Sequence, residues 1–102
     1  MDFAVDQRVE NGGVVLDVQG DIDVATASQL WREIEPQLDT TRHVVVDLSK
    51  VSFIDSTGIG TLVRAVNALR DRGQRLTVRG PSPMTRTVFE TVGLTRLVDV
   101  EP

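Results

Sequence analysis

Three consecutive valines, Val44-Val45-Val46, stand between two stretches of helical periodicity, and this alternation constrains the fold more than any other feature. A short, unbroken β-branched run is typical of a central strand that is covered on both faces. Strands that are separated by helices cannot form hairpins, so they pair in parallel through right-handed crossovers. We therefore predict an α/β sheet built around residues 43–48.

The two flanking stretches are predicted to be amphipathic helices. Thr26, which has capping-box spacing to Gln29, and Asp23 are alternative caps of the first helix, and Pro36 is expected to bend or end it. The second helix is predicted over residues 58–72, with Gly73 as its C-terminal stop. The apolar positions recur every three or four residues: Ala27, Leu30, Trp31, Ile34 and Leu38 in the first helix, and Ile59, Leu62, Val63, Val66 and Leu69 in the second.

Further elements are predicted on both sides of this unit. Residues 3–9 and 14–19 are expected to form an antiparallel hairpin, because Asn11 and Gly12 between them tolerate the positive φ of a tight turn. Residues 75–79 form another strand, and Ser82 caps a third helix that begins at Pro83. Its buried stripe is expected to contain Met84, Val88 and Val92 beside Phe89, and Gly93 ends it. Residues 97–100 form an edge strand or a docked tail.

This order predicts a single α/β domain over residues 1–102. Its sheet is mixed, with four to five strands, the first antiparallel and the later ones parallel, and about three to four helices pack on it.

Composition and charge exclude several classes of function. The chain has 11 basic and 15 acidic residues, a net charge of −4, which argues against a nucleic-acid binder. It has no cysteine, so disulfides, thiolate metal sites and cysteine nucleophiles are excluded. No apolar run approaches the roughly 18 residues of a membrane span, and no secretory signal is visible at the N-terminus. We expect a cytoplasmic protein that binds neither membrane nor nucleic acid directly.

A catalytic centre is not indicated either. His43 is the single histidine, and it is expected to be a strand-edge residue, because one histidine cannot build a metal site without a carboxylate cluster. A hydrolase using Ser56 would need a nucleophile elbow, but Ser56 stands in Asp55-Ser56-Thr57-Gly58 rather than Gly-x-Ser-x-Gly. Gly58-Ile59-Gly60 lacks the lysine and spacing of a phosphate-binding loop. We expect no catalysis, no metal and no cofactor.

The most informative segment is the passage from the central strand into the second helix, at Asp55-Ser56-Thr57-Gly58. Functional groups of open α/β sheets are displayed at the carboxyl ends of strands. A purely structural role is the alternative: Ser56 as the helix N-cap and Asp55 as a charge that favours the helix dipole. Gly58 costs about 1 kcal/mol relative to alanine early in a helix, which indicates close approach of the backbone or of a partner.

Four motifs in register resemble the anti-sigma factor antagonist (anti-anti-sigma) family, the small STAS domains of bacteria. The family's Asp-Ser-Ser/Thr-Gly signature and the apolar helix after it match residues 55–62, and its Gly-Asp/Glu-Leu/Ile-Asp motif matches residues 20–23. Residues 45–49 and the late Ser82-Pro83 helix, up to residues 92–94, also match. The resemblance covers nearly the whole chain and implies the STAS fold.

The resemblance also implies a partner-switching function. The unphosphorylated domain would bind an anti-sigma factor that is also a serine kinase and so release a sigma factor. Phosphorylation at Ser56, or alternatively at Thr57, would break the complex, and a phosphatase would reset it. The expected partner surface consists of Asp21, Asp23, Asp55, Thr57, Gly58, Ile59 and Gly60. The domain is expected to be a monomer.

A second function stays open at this point. STAS domains also serve as accessory or scaffold subunits of stress-signalling or lipid-transport assemblies. Such subunits keep the fold without the switch, so the intact Asp55-Ser56-Thr57-Gly58 sequence favours the regulator.

Overall fold

A five-stranded mixed sheet runs through the computed structural model, which describes residues 2–39 and 43–102. The strands lie in chain order, with the first pair antiparallel and the other three pairs parallel. They are β1 (Ala4–Glu10), β2 (Gly13–Gln19), β3 (Val44–Lys50), β4 (Leu76–Arg79) and β5 (Val98–Glu101). The predicted mixed sheet is confirmed, and the C-terminal segment is an edge strand.

In the described residues, three α-helices alternate with the strands, one after each of β2, β3 and β4, as predicted. They are α1 (Ala27–Ile34), α2 (Ser56–Arg70) and α3 (Pro83–Thr91), and two 3₁₀ turns, Glu35–Gln37 and Leu94–Arg96, come after α1 and α3. Pro36 lies in the first of these turns, so the helix ends beside the proline as expected. The α/β architecture is confirmed.

The β1–β2 hairpin forms at the predicted turn. Asn11 and Gly12 have φ values of 52° and 79°, and Glu10 pairs with Gly13 across the loop. Positive φ at both central residues is the geometry whose twist matches two antiparallel strands. The hairpin therefore fixes the register of β1 on β2.

All three helices bury side chains against one face of the sheet. Alternate residues of the parallel strands face this layer. Within the layer, α1 and α2 are in contact, because Arg64 of α2 lies 4.0 Å above the ring centroid of Trp31 on α1. The core cluster includes Val14, Leu16, Val18, Val44, Val46, Leu48, Leu76 and Val78 from the strands, and Leu30, Ile34, Leu62, Leu69 and Phe89 from the helices.

The opposite face is covered by charged side chains. Val45 is only 6% exposed there, as expected for a strand covered on both sides, although every described helix packs on the other face. Arg79 donates to Glu101 Oε2 at 2.8 Å and to Glu10 Oε1 at 3.1 Å, and these three residues line a shallow pocket with Val45. The two hydrogen bonds raise the pKa of Arg79, and the bond from Arg79 lowers the pKa of Glu10.

Asp23, and not Thr26, caps the start of α1. Asp23 Oδ1 accepts hydrogen bonds from the backbone N–H groups of Ala25 at 2.9 Å and Thr26 at 3.2 Å. The Thr26 side chain makes no cap bond, so the predicted capping box does not form. Its hydroxyl instead donates to the carbonyl oxygen of Asp21 at 2.8 Å and ties the preceding loop to the helix.

The predicted buried stripe of α3 is correct at Phe89 and wrong at Met84 and Val92. Thr85 and Phe89 are the buried residues of this helix, whereas Met84 and Val92 are exposed. Ser82 caps the helix as predicted, accepting from the Thr85 N–H at 3.2 Å. Its hydroxyl also bonds the Thr85 hydroxyl at 3.0 Å, and this bond allows a polar side chain to be buried beside Phe89.

Candidate functional site

Two loops meet at the carboxyl ends of β2 and β3 and form the candidate site. Ile22 and Ile54 make an isolated parallel bridge. The Ile22 N–H donates to the Phe53 carbonyl at 2.9 Å, and the Asp55 N–H donates to the Ile22 carbonyl at 3.0 Å. The two predicted motifs, residues 20–23 and 55–60, are therefore brought together by backbone hydrogen bonds.

The bridge determines which side chains of these loops face outward. Ile22 and Ile54 are buried, and their neighbours alternate to the other side because the backbone is extended there. Asp21 accepts a hydrogen bond from the Ser52 hydroxyl at 3.0 Å, which adds a side-chain link between the loops. Phe53 lies on the exposed side of the bridge.

Asp55 is the N-cap of α2, and the alternative of Ser56 as the cap is wrong. Asp55 Oδ1 accepts from the N–H groups of Thr57 at 2.9 Å and Gly58 at 3.1 Å. The helix consequently begins at Ser56, two residues earlier than predicted, and ends at Arg70. Negative charge at this position also complements the helix dipole.

Ser56 is exposed at the first position of α2. Within residues 2–39 and 43–102, no hydrogen bond involves its hydroxyl. Thr57 is also exposed, and its backbone carbonyl accepts from the Thr61 hydroxyl at 3.1 Å. Both hydroxyl groups are therefore accessible to an enzyme that approaches from solvent.

The two glycines of the motif have different surroundings. Gly58 is buried, and a Cβ built on it would lie 2.6 Å from both Ile22 Cγ2 and Ile54 Cγ1. The close approach expected at Gly58 is thus an internal contact beneath the surface. Gly60 is exposed, and a Cβ built there meets no atom of residues 2–39 and 43–102 within 4 Å. Ile59, between them, is half-buried against the core.

Three carboxylates belong to the two bridged loops, and one of them, that of Asp55, caps α2. Asp21, Asp23 and Asp55 accept hydrogen bonds from nearby hydroxyl or N–H groups. In the part of the chain that the structure describes, none of them forms an ion pair. The described residues contain no group of three acidic or histidine side chains able to hold a metal ion.

His43 is not assembled with Ser56 into a hydrolytic site. Its Nε2 atom lies 2.8 Å from the Thr77 hydroxyl, just before β3 begins. Ser56 follows the other end of the same seven-residue strand, which spans roughly 20 Å.

A search of the described residues for a helix with the length and apolar character of a membrane span found none.

Two exposed apolar residues at this site were missed by the sequence analysis. Phe53 is 48% exposed and Val24 is 76% exposed. The adjacent pair Phe53-Ile54 gave one signal, since two consecutive apolar residues in extended chain cannot both face the core. Val24 follows the capping residue Asp23 in a turn and carries no comparable signal.

Comparison with known proteins identifies the family. A family model described as "Mlab, STAS domain" matches residues 5–99, nearly the whole chain. The chain belongs to the STAS domain family. This assignment confirms the resemblance drawn from the four sequence motifs.

Relatives of this STAS domain include anti-sigma factor antagonists. The anti-sigma-B factor antagonist of Staphylococcus aureus is 32% identical over 101 residues, which cover 98% of this chain and 94% of the relative. The crystal structure of an anti-sigma factor antagonist from Mycobacterium paratuberculosis has a TM-score of 0.90 at 27% identity and covers 99% and 86% of the two chains.

The fold is also shared with the Bacillus cell fate determinant SpoIIAA, whose structure was solved in the phosphorylated form. The TM-score is 0.75 at 24% identity, and the match covers 97% of this chain and 90% of that one. At this identity the likeness concerns the fold alone.

Proposed function

We propose that this STAS domain is an anti-sigma factor antagonist that is switched by phosphorylation at Ser56. The unphosphorylated form binds a cytoplasmic anti-sigma factor that is also a serine kinase, and a sigma factor is released. Phosphorylation separates the complex, and a phosphatase restores the binding form. The domain, a monomer spanning residues 1–102, acts as a substrate and binder without catalysis or a cofactor.

The observation that carries the proposal is the exposed Ser56 hydroxyl at the start of α2, which makes no hydrogen bond within the part of the chain that the structure describes. A kinase can reach it without unfolding the helix, because Asp55 supplies the cap. The S. aureus antagonist supports the proposal by its 32% identity over nearly the full length of both proteins. The expected partner surface combines the exposed residues Asp21, Thr57 and Gly60 and the half-buried Asp23, Asp55 and Ile59 with the buried Gly58 beneath them.

The size of the switch follows from charge. A phosphate on Ser56 adds about −1.5 to −2 charges at neutral pH. It would stand beside Asp55, on the side of the fold that carries Asp21 and Asp23. Like charges about 4 Å apart repel by roughly 1 to 4 kcal/mol per pair, and burying a phosphate in an interface adds desolvation. Only the part of this cost that arises on association weakens the complex: the desolvation of the phosphate and the stronger repulsion where the interface excludes water. About 1.4 kcal/mol of such cost lowers the affinity tenfold.

The test uses purified anti-sigma factor kinases of the source bacterium, with ATP and Mg²⁺. Wild type should bind one of them and gain the mass of one phosphate. Ser56→Ala should bind equally well and remain unmodified, and Ser56→Asp should bind at least about tenfold more weakly. Thr57→Ala is the matched control and should be modified like wild type.

Two results would count against the proposal. Equal affinity of wild type, Ser56→Ala and Ser56→Asp for the kinase would remove the switch and favour the accessory or scaffold function. Modification that survives in Ser56→Ala and disappears in Thr57→Ala would move the phosphoacceptor to Thr57.

A further inference from the structure

Two apolar side chains of the bridged loops are exposed, and the core cluster does not include them. Phe53 belongs to the loop that leads into α2, and Val24 belongs to the bridged partner loop. Backbone bonds at the Ile22–Ile54 bridge hold both loops, so the two side chains are presented from an ordered backbone. Exposed apolar side chains that are held on an ordered backbone can anchor a protein interface when a partner provides a pocket for them.

Gly60 gives a second, independent indication of a partner. It lies one turn after Ser56 on the same side of α2, because residues four apart share a helix face. Glycine in a helix interior costs roughly 0.5 to 1 kcal/mol relative to alanine. No neighbouring atom requires it, since a Cβ would meet nothing within 4 Å, and its φ is not positive. Close approach of another backbone is a reason for glycine that lies outside the fold.

We propose that Phe53 and Val24 are the apolar anchors of the partner surface and that a backbone segment of the partner packs directly on α2 at Gly60. This inference rests on the proposed function. The partner is a protein surface with an apolar pocket for the anchors and basic residues at its margin, which pair with Asp21 and Asp23. The absence of ion pairs at these carboxylates, among the residues that the structure describes, leaves them available for such cations.

This arrangement explains why a phosphate would be excluded. Ser56 lies between the loop carrying Phe53 and the helix surface at Gly60, where the partner would make its closest contact. A phosphate there would occupy the volume of the partner's backbone and would be buried in apolar surroundings without a counter-charge. The partner's basic residues would not neutralise the phosphate, because they are already paired with Asp21 and Asp23.

The experiment measures dissociation constants for the anti-sigma factor kinase that binds and phosphorylates the wild-type chain. Phe53→Ala and Gly60→Ala should each weaken binding about tenfold or more, and Val24→Ala about threefold. Val9→Ala is the matched control for Val24, since Val9 is 83% exposed on β1 and should bind within about twofold of wild type. Gly60→Ala should raise the melting temperature by about 2 to 6 °C, which separates lost affinity from lost folding.

The outcomes separate this inference from the proposed function. If wild type binds and Ser56→Asp does not, but Phe53→Ala and Gly60→Ala bind like wild type, the anchors are wrong and the phosphorylation switch stands. A lower melting temperature for Gly60→Ala would show that the fold itself needs the glycine and would also overturn the inference. If no such kinase binds wild type, the proposed function fails and this inference fails with it.

Discussion

The substitution Gly58→Ala should destabilise the domain relative to Gly60→Ala, although both changes add the same methyl group to the same helix. At Gly58 the new Cβ would lie 2.6 Å from Ile22 Cγ2 and from Ile54 Cγ1. Real Cβ atoms essentially never approach that closely, so one or both isoleucines must shift. At Gly60 the new Cβ would meet no atom within 4 Å.

The magnitude follows from two opposing contributions. Replacing glycine by alanine inside a helix gains up to about 1 kcal/mol. Overpacking a filled core costs about 1 to 3 kcal/mol. The gain is common to both variants, so the difference between their free energies of unfolding should equal the overpacking alone, about 1 to 3 kcal/mol. Gly60→Ala itself should be more stable than wild type by about 0.4 to 1 kcal/mol.

Urea unfolding of both variants and wild type, followed by circular dichroism, measures this difference at equal m-values. Free energies for the two variants that agree within about 0.5 kcal/mol would refute the reasoning. They would mean that the Ile22–Ile54 bridge moves aside at no cost, and that Gly58 is not the contact that joins the loops to α2.

Three further predictions concern caps and charge. Asp55→Ala should lower the free energy of unfolding by about 1 kcal/mol in urea titrations, whereas Asp55→Asn should keep the cap and most of the stability. Ser82→Ala should cost about 1 to 2 kcal/mol by the same assay, because it also unpairs a buried hydroxyl, whereas exposed Met84→Ala should change stability by less than about 0.5 kcal/mol. Arg79 lowers the pKa of Glu10 below its ordinary value of 4.5, so this pair's stabilisation is present above about pH 4.5 and lost as the pH falls through the lowered pKa. Glu10→Gln should therefore flatten the fall of melting temperature from about pH 6 to about pH 3, and an unchanged slope would contradict this.

The order of strands and helices could be predicted because it depends on local periodicity. Local signals of only a few residues predict three of the elements: the valine run at Val44–Val46, the Asn11-Gly12 turn and the Ser82-Pro83 helix start. Each of these elements is present where the sequence placed it. Such signals do not need knowledge of what packs against them.

The details that failed depend on contacts distant in sequence. The buried face of α3 contains Thr85 because Ser82 satisfies its hydroxyl, whereas apolar spacing alone favoured Met84. Val45 is buried as predicted, but the face it lies on carries no described helix, and the hydrogen bonds of Arg79 on β4 to carboxylates on β1 and β5 there are not revealed by any periodicity. Both outcomes are decided by tertiary packing, which overrides a local pattern.

The candidate site was found in part from the sequence. The motif placed Ser56 at the start of a helix, and the structure agrees to within two residues. The exposure of Phe53 and Val24 depends on the bridge between two loops that lie about 30 residues apart in the chain. A single sequence does not state that pairing, so Val24 could not be singled out, and Phe53 could be singled out only by its place next to Ile54.

The bridge between Ile22 and Ile54 has a calorimetric consequence. Because it orders both loops in the free domain, their conformational entropy is lost during folding and not during association. The heat-capacity change on complex formation should then reflect only the apolar area covered at the contact, without the additional 1,000 to 3,000 Å² or so that coupled folding of a disordered segment would bury. Isothermal titrations at several temperatures can therefore distinguish a surface that is complete beforehand from one that the partner has to assemble.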